Sequence, residues 1–225
     1  MFVNYQFLVL NSQLFKPLAI TAHLAYNNQM ANITFITGPM FSGKSARLLE
    51  LILLEKAQSY YQYLFIRPVI DNRGFITRDK VMEKRFANSR HNIENIVVDN
   101  FTELNKLDLS PYEAIFIDEL HLFNDDEDEA HLFFKKIVHN NIPLIAGGLN
   151  GSSEQESFVA ISRFLPFITK IELLETACYN QTHDDADSHA KAGYTKWVGK
   201  KSKKGLIEIG DSSYVASCAA CLNKN

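Results

Sequence analysis

The chain has 225 residues, 46% of them hydrophobic and 22% charged, and 23 Lys and Arg against 26 Asp and Glu give a formal net charge of −3. These values allow one sizeable core, or a main domain with a small appendage, and exclude whole-chain attraction to nucleic acid or an anionic membrane. Three cysteines, an odd number, argue against a secreted disulfide framework and leave reduced thiols or metal ligands in a cytosolic setting.

Residues 1–29 carry a single charged side chain, Lys16, where the average would put about six. Their longest apolar run is Phe7 to Leu10, far short of the roughly 20 residues of a membrane span. Asn4, Gln6, Asn11, Ser12, Gln13, Lys16 and Pro17 also interrupt any signal-peptide pattern. Met30-Ala-Asn-Ile-Thr-Phe reads as a natural start, so 1–29 is expected to be a dispensable, atypical extension.

Beyond it, Ile33–Thr37 predicts a strand that stops at Gly38-Pro39, and the strong helix formers from Ser45 predict a helix with most of its circumference covered. Tyr63–Arg67, Asn95–Asp99 and Ala114–Asp118 are short, continuous and apolar, as in parallel strands covered on both faces, and Pro143–Ala146 supplies another. Asn124–Asn140 predicts a helix with Leu132, Phe133, Ile137 and Val138 on one side. Alternating strands and helices imply a doubly wound α/β domain over 30–169. Ile168–Glu175 looks like a further strand, followed by a polar loop over Cys178–Gly193, six lysines between Lys191 and Lys204, and a terminal Cys218-Ala-Ala-Cys221. A small second domain is therefore expected over 170–225.

The strongest local signal is Gly38-Pro39-Met40-Phe41-Ser42-Gly43-Lys44-Ser45, a G-x-x-x-x-G-K-S pattern between a predicted strand and a predicted helix. Its backbone N–H groups would surround phosphate oxygens, with the helix N-terminus adding positive potential. Lys44 would bind the β and γ phosphates and Ser45 a magnesium ion. Asp118 and Glu119 end an apolar strand. Asp118 is the candidate for Mg²⁺, and Glu119, expected to point the other way by strand alternation, could accept a proton from a nucleophile. Arg73, after the second strand, could neutralise charge on a transferring phosphoryl group, and Ser89-Arg90-His91 lies further along.

Cys218 and Cys221 have metal-ligand spacing, and Cys178 lies near His183, so three thiolates and an imidazole could complete a tetrahedral zinc site. Three unliganded thiols remain the alternative, and Gln181 occupies the x-x-C position after Cys178. The carboxylates of Asn124–Glu129 are most simply helix-dipole and capping groups. The lysines of 191–204 are most simply a solvated loop.

Taken together, these motifs resemble the thymidine kinases of the type found in animal cytosol, in many bacteria and in poxviruses, from about Met30 to Cys221. Beside the glycine loop, the resemblance lies in Asp71-x-Arg73, Ile117-Asp-Glu-x-x-x-Phe123, Leu149-x-Gly151 with the later Phe158, Ala192-x-Tyr194-Thr-Lys196, and Tyr214-x-x-x-Cys218-x-x-Cys221. It implies a P-loop NTPase-like fold with a zinc-ribbon-like lasso domain, and transfer of the ATP γ-phosphoryl group to the 5′-hydroxyl of thymidine or deoxyuridine. By resemblance Glu119 is the general base, Asp118 and Asp71 are metal-associated, Arg73 binds phosphate, and His121 joins the nucleotide site where Gln is customary. The implied nucleoside contacts are Met40, Leu122, Leu149, Phe158, Tyr214 and the 207–210 segment with Ile207 and Ile209. The resemblance also implies structural Zn²⁺, a cytoplasmic homotetramer, and no nucleic-acid or membrane partner.

Three departures stand out: Ser153 occupies a position that is usually aromatic, Gln181 one that is usually Cys, and the Cys178–Tyr194 stretch is longer than usual. Two other functions stay open on the residues alone. One is a P-loop ATPase or a kinase for another nucleoside with an altered base pocket. The other is a zinc-containing nucleic-acid-binding module using the lysines, whose affinity would fall steeply with salt.

Overall fold

The computed structural model describes residues 31–56, 62–89, 92–123, 127–179, 190–199 and 213–222. The expectations placed on 1–29, Arg90, His91, Asn124, Gln181, His183, Ile207, Ile209 and the lysines of 200–204 lie outside the described residues.

The central element is a six-stranded, wholly parallel sheet. Its strands are β1 (Ile33–Gly38), β2 (Gln62–Pro68), β3 (Ile93–Val98), β4 (Tyr112–Ile117), β5 (Leu144–Leu149) and β6 (Lys170–Leu173), in the order β3-β2-β4-β5-β1-β6. Strands β1, β4 and β5 are buried along nearly their whole length because both faces are covered. On one face Ile36, Phe65, Phe116 and Ile145 pack with Leu48, Leu49 and Ile52 of helix α1 (Lys44–Lys56) and Phe86 of α2 (Lys80–Asn88). On the other, Phe35, Ile66, Ile117 and Ala146 pack with α3 (Phe101–Asn105), α4 (Glu127–His139) and α5 (Val159–Phe164). The doubly wound α/β architecture read from the sequence is thus present, with helices on both faces.

Differences from the sequence reading have local causes. Strand β3 is an edge strand whose Glu94, Asn95 and Val97 face outward, so it is not covered on both faces. Helix α4 buries Ala130, Phe133, Phe134 and Ile137, the i, i+3, i+4, i+7 stripe, and leaves Leu132 and Val138 exposed. Helices α2 and α3, absent from the sequence reading, are held by caps. Asp79 accepts the Val81 and Met82 N–H groups at 3.0 Å, and Asn100 accepts that of Glu103 at 2.9 Å.

Strand β6 pairs with β1 in the main sheet. Beyond it lie two small antiparallel pairs, β7 (Thr176–Ala177) with β8 (Lys191–Ala192) and β9 (Tyr194–Trp197) with β10 (Tyr214–Ser217), and the short α6 (Ala219–Leu222). This small unit sits against the loop after β1, where the Met40 N–H donates to Thr195 Oγ1 at 3.0 Å. The carboxyl ends of β1, β2 and β4 therefore open onto a crevice roofed by the small unit, the position where open α/β sheets bind ligands.

Candidate active site

The loop between β1 and α1 is built on two glycines with positive φ. At Gly38 (φ +148°) a Cβ would lie 2.3 Å from the Leu174 carbonyl oxygen, and Gly43 has φ +86°, so neither position tolerates a side chain without strain. Phe41 between them is also left-handed, with φ 66°. The turn aims the first N–H groups of α1 into the crevice, a ready anion cradle. Lys44, at the start of α1, folds its ammonium back onto the Pro39 carbonyl at 2.7 Å. Burial pushes its pKa down to about 8, against the opposing pull of Glu119 and Asp118.

Across the crevice Asp118 and Glu119 follow β4. Asp118 Oδ1 accepts the Ser45 hydroxyl at 3.1 Å, while its Oδ2 is buried with no partner among the described residues. Burial, then the neighbouring Glu119 charge, raises the Asp118 carboxyl to about 7. A buried carboxylate with one orphaned oxygen beside a serine hydroxyl is an oxygen donor set suited to Mg²⁺. Glu119 separates from Asp118 for a different reason than strand alternation: β4 has ended, and Glu119 takes a left-handed conformation (φ 52°, ψ 41°) that turns its carboxylate into the cavity.

Glu119 is engaged there by Arg73, whose Nη2 donates to Oε1 at 2.6 Å. The same guanidinium forks onto Asp71, with Nε to Oδ1 at 2.5 Å and Nη2 to Oδ2 at 2.9 Å. Burial alone would raise the Glu119 carboxyl, but the positive charge on His121 when protonated, on Arg73 and on Lys44 outweighs it and leaves the group below its ordinary value. Asp71 is likewise buried, and Arg73 and then Arg67 hold it below the usual range. Arg73 stays charged, its pKa raised because Asp71 and Glu119 overcome its burial.

His121 follows on the short 3-10 turn Leu120–Leu122. Its Nδ1 accepts the Leu149 N–H at 3.3 Å, which selects the neutral tautomer, and its ring packs edge-on to Phe158 with centroids 5.0 Å apart. Burial lowers its pKa to about 4, although Glu119 opposes the shift. Leu122, Leu149, Phe158 and Tyr214 continue the same cavity, which encloses roughly 530 Å³ and reaches from the phosphate loop to the small unit.

The cavity therefore brings together Met40, Phe41, Gly43, Lys44, Ser45, Asp71, Arg73, Glu119 and His121 with the four described nucleoside-end residues. Gly38, Pro39, Ser42 and Asp118 do not themselves line the cavity, but Pro39 and Asp118 bond to Lys44 and Ser45, which do. Sequence reasoning missed Thr77, Arg78, Tyr179 and Thr195, which also line it. Arg78 stacks on Phe41 at 4.7 Å from the ring centroid, and Tyr179 meets the same ring edge-on at 5.8 Å. Ser153 lines the cavity too, at the position the resemblance makes aromatic.

Cys178, Cys218 and Cys221 converge, their sulfurs all within 4.8 Å of one another, and Cys178 Sγ accepts the Cys218 N–H at 3.3 Å. Three soft ligands in that spacing fit Zn²⁺. The cluster fastens the start of the polar loop to the C-terminal helix, next to Tyr179.

The profile of the thymidine kinase family matches residues 31–222. The chain is 30% identical over 197 residues to a thymidine kinase of Choristoneura fumiferana entomopoxvirus, covering 86% of this chain and 97% of that protein. It is 29% identical over 196 residues to a thymidine kinase of African swine fever virus, covering 85% and 93%. It is also 25% identical over 193 residues to one of Pseudothermotoga lettingae, covering 85% and 95%.

Proposed function

The chain belongs to the thymidine kinase family, and from the geometry of its cavity we propose how it carries out that chemistry, with ATP as the phosphoryl donor and the 5′-hydroxyl of thymidine or deoxyuridine as acceptor. The observation that carries the proposal is the single cavity in which a phosphate-cradling loop and a left-handed Glu119 face an apolar end lined by Leu122, Leu149 and Phe158.

Phosphoryl transfer asks the protein mainly for positioning and charge neutralisation. The loop of Gly38 to Ser45 holds the triphosphate through backbone N–H groups, and Lys44 leaves the Pro39 carbonyl to neutralise the β and γ oxygens. Ser45 and Asp118, with Asp71 as a further carboxylate, would hold Mg²⁺, which would supply charge neutralisation. Glu119 orients the 5′-hydroxyl and accepts its proton, a task its ionised state suits once Arg73 turns to the phosphoryl group. His121, neutral, holds the Leu149 backbone and the Phe158 ring in place and so shapes both ends. The nucleoside lies among Met40, Leu122, Leu149, Phe158 and Tyr214, and the family resemblance adds Ile207 and Ile209 as further contacts. Cys178, Cys218 and Cys221 would hold structural Zn²⁺ in the small second domain, with His183 the candidate for the fourth ligand. A cytoplasmic homotetramer is the expected state of the protein.

A panel of deoxynucleosides offered with ATP and magnesium tests the reading. Thymidine and deoxyuridine should be converted to their 5′-monophosphates with one ADP formed per product. Conversion of neither by folded protein would refute it.

A further inference from the structure

Arg73 lies in a segment, Asp71 to Asp79, that has neither helix nor strand, so its guanidinium is placed by side-chain bonds alone. Those bonds go to Asp71, whose side chain is only 1% exposed. A carboxylate gripped by one mobile arginine could rotate with it. Asp71 is gripped by a second arginine as well, because Arg67 Nη2 donates to its Oδ2 at 3.0 Å.

Arg67 itself belongs to β2, hydrogen-bonded between β3 and β4. Its side chain is 12% exposed, and its Nε is buried with no partner among the described residues. Keeping a guanidinium in the interior with an unsatisfied donor is costly, and among the described residues its one ionic contact is Asp71. The contact made is the one that fixes Asp71 Oδ2, the oxygen shared with Arg73 Nη2. That Nη2 in turn reaches Glu119. The order Arg67, Asp71, Arg73, Glu119 thus runs from the rigid sheet to the proposed base.

Resting on the kinase reading above, we propose that Arg67 is a positioning residue for phosphoryl transfer, transmitting the rigidity of β2 through Asp71 to the guanidinium of Arg73. Arg67 lines no part of the cavity, so its effect on the reaction passes through Arg73. A mispositioned Arg73 lowers the rate of transfer without weakening the nucleoside contacts, which lie at the other end of the cavity.

Three variants test it: Arg67→Met, Arg73→Met and the double variant, each checked for native thermal unfolding. Arg67→Met should lower kcat about tenfold and leave the thymidine KM within about twofold. The double variant should match Arg73→Met within about twofold, because nothing is left to position, whereas a merely structural Arg67 would make the two losses multiply. Multiplying losses, or an unchanged kcat in Arg67→Met, would overturn the proposal. If Arg67→Met does not fold, Arg67→Lys serves in the same cycle, with about a threefold loss that vanishes in the Arg73→Met background.

The kinase reading is separated from this one by binding alone, without nucleoside. Arg67→Met should weaken a non-hydrolysable ATP analogue about fivefold more than ADP. That ratio shifting in a protein that phosphorylates no thymidine would leave the positioning role standing and the kinase reading refuted. An active kinase in which both kcat and the ratio are untouched by the substitution would do the reverse.

Discussion

At the phosphate end of the cavity Lys44, Ser45, Asp71, Arg73 and Glu119 each have a hydrogen bond to another group of the chain, and they lie in the first turn of α1 or in the segments that follow β2 and β4. At the nucleoside end Leu122, Leu149, Phe158 and Tyr214 come from four separate places in the chain. The small unit is tied to the main domain by directional bonds that include Met40 N–H to Thr195 Oγ1 and Asn150 Nδ2 to the Gly193 carbonyl, both 3.0 Å. The contrast is that the phosphate-end groups all belong to the main domain, whereas the nucleoside end adds Tyr214 of the small unit to Leu122, Leu149 and Phe158 of the main domain. We therefore expect base recognition, more than phosphoryl transfer, to depend on how the small unit is held down.

The largest effect that would break this division is at the proposed base. Glu119→Gln should lower turnover about a thousandfold and leave the affinity for an ATP analogue within a few-fold, measured by steady-state kinetics and calorimetry. A comparable loss of nucleotide binding would mean that the carboxylate serves the phosphate cradle instead.

Next in size is the metal cluster. If the proposed zinc is bound there, chelator treatment, like Cys218→Ser, should raise the thymidine KM about tenfold and lower the unfolding midpoint by about 5 °C, with ATP-analogue binding retained. Equal losses at both ends would erase the division.

A smaller effect sharpens it. Ser153→Phe places an aromatic ring where the cavity wall is a hydroxymethyl group, and a stacking gain of about 1 kcal/mol corresponds to about fivefold tighter thymidine binding with the ATP KM unchanged. Competition binding would read it directly.

The smallest effect concerns His121, at the boundary. Its folded pKa of about 4 lies below the ordinary 6.5, so between these values the unfolded chain takes up a proton that the folded one refuses. Its contribution to stability is therefore complete above about pH 6.5 and lost as the pH falls towards 4. His121→Gln should show a shallower loss of stability over that range in denaturant titrations.

How much was legible in the sequence follows the same division. Gly38 to Ser45 could be read because one contiguous stretch carries the turn, the cation and the hydroxyl, with strand and helix on either side. Asp118 and the three cysteines could be read because their residue types are rare in those contexts. Arg67 could not, since an arginine at a strand end resembles any surface arginine until its burial and its grip on Asp71 are seen. Glu119 does turn away from Asp118 as expected, but strand alternation is not the cause: β4 ends at Ile117, and a left-handed residue makes the turn. The inward face of α4 was misassigned because an apolar stripe that includes Leu132 looks as good as one that includes Phe134 until the sheet selects between them. Thr195 stood inside a recognised motif without its place in the cavity being readable, and Tyr179 gave no signal, because a pocket closed by distant segments leaves no spacing to recognise.

The most direct measurement is the identity of the product. Protein incubated with ATP, magnesium and thymidine should yield thymidine 5′-monophosphate and ADP in equal amounts by phosphorus NMR, with neither formed by Glu119→Gln on the same timescale. ADP accumulating without thymidine 5′-monophosphate, or equal product from both proteins, would contradict the account.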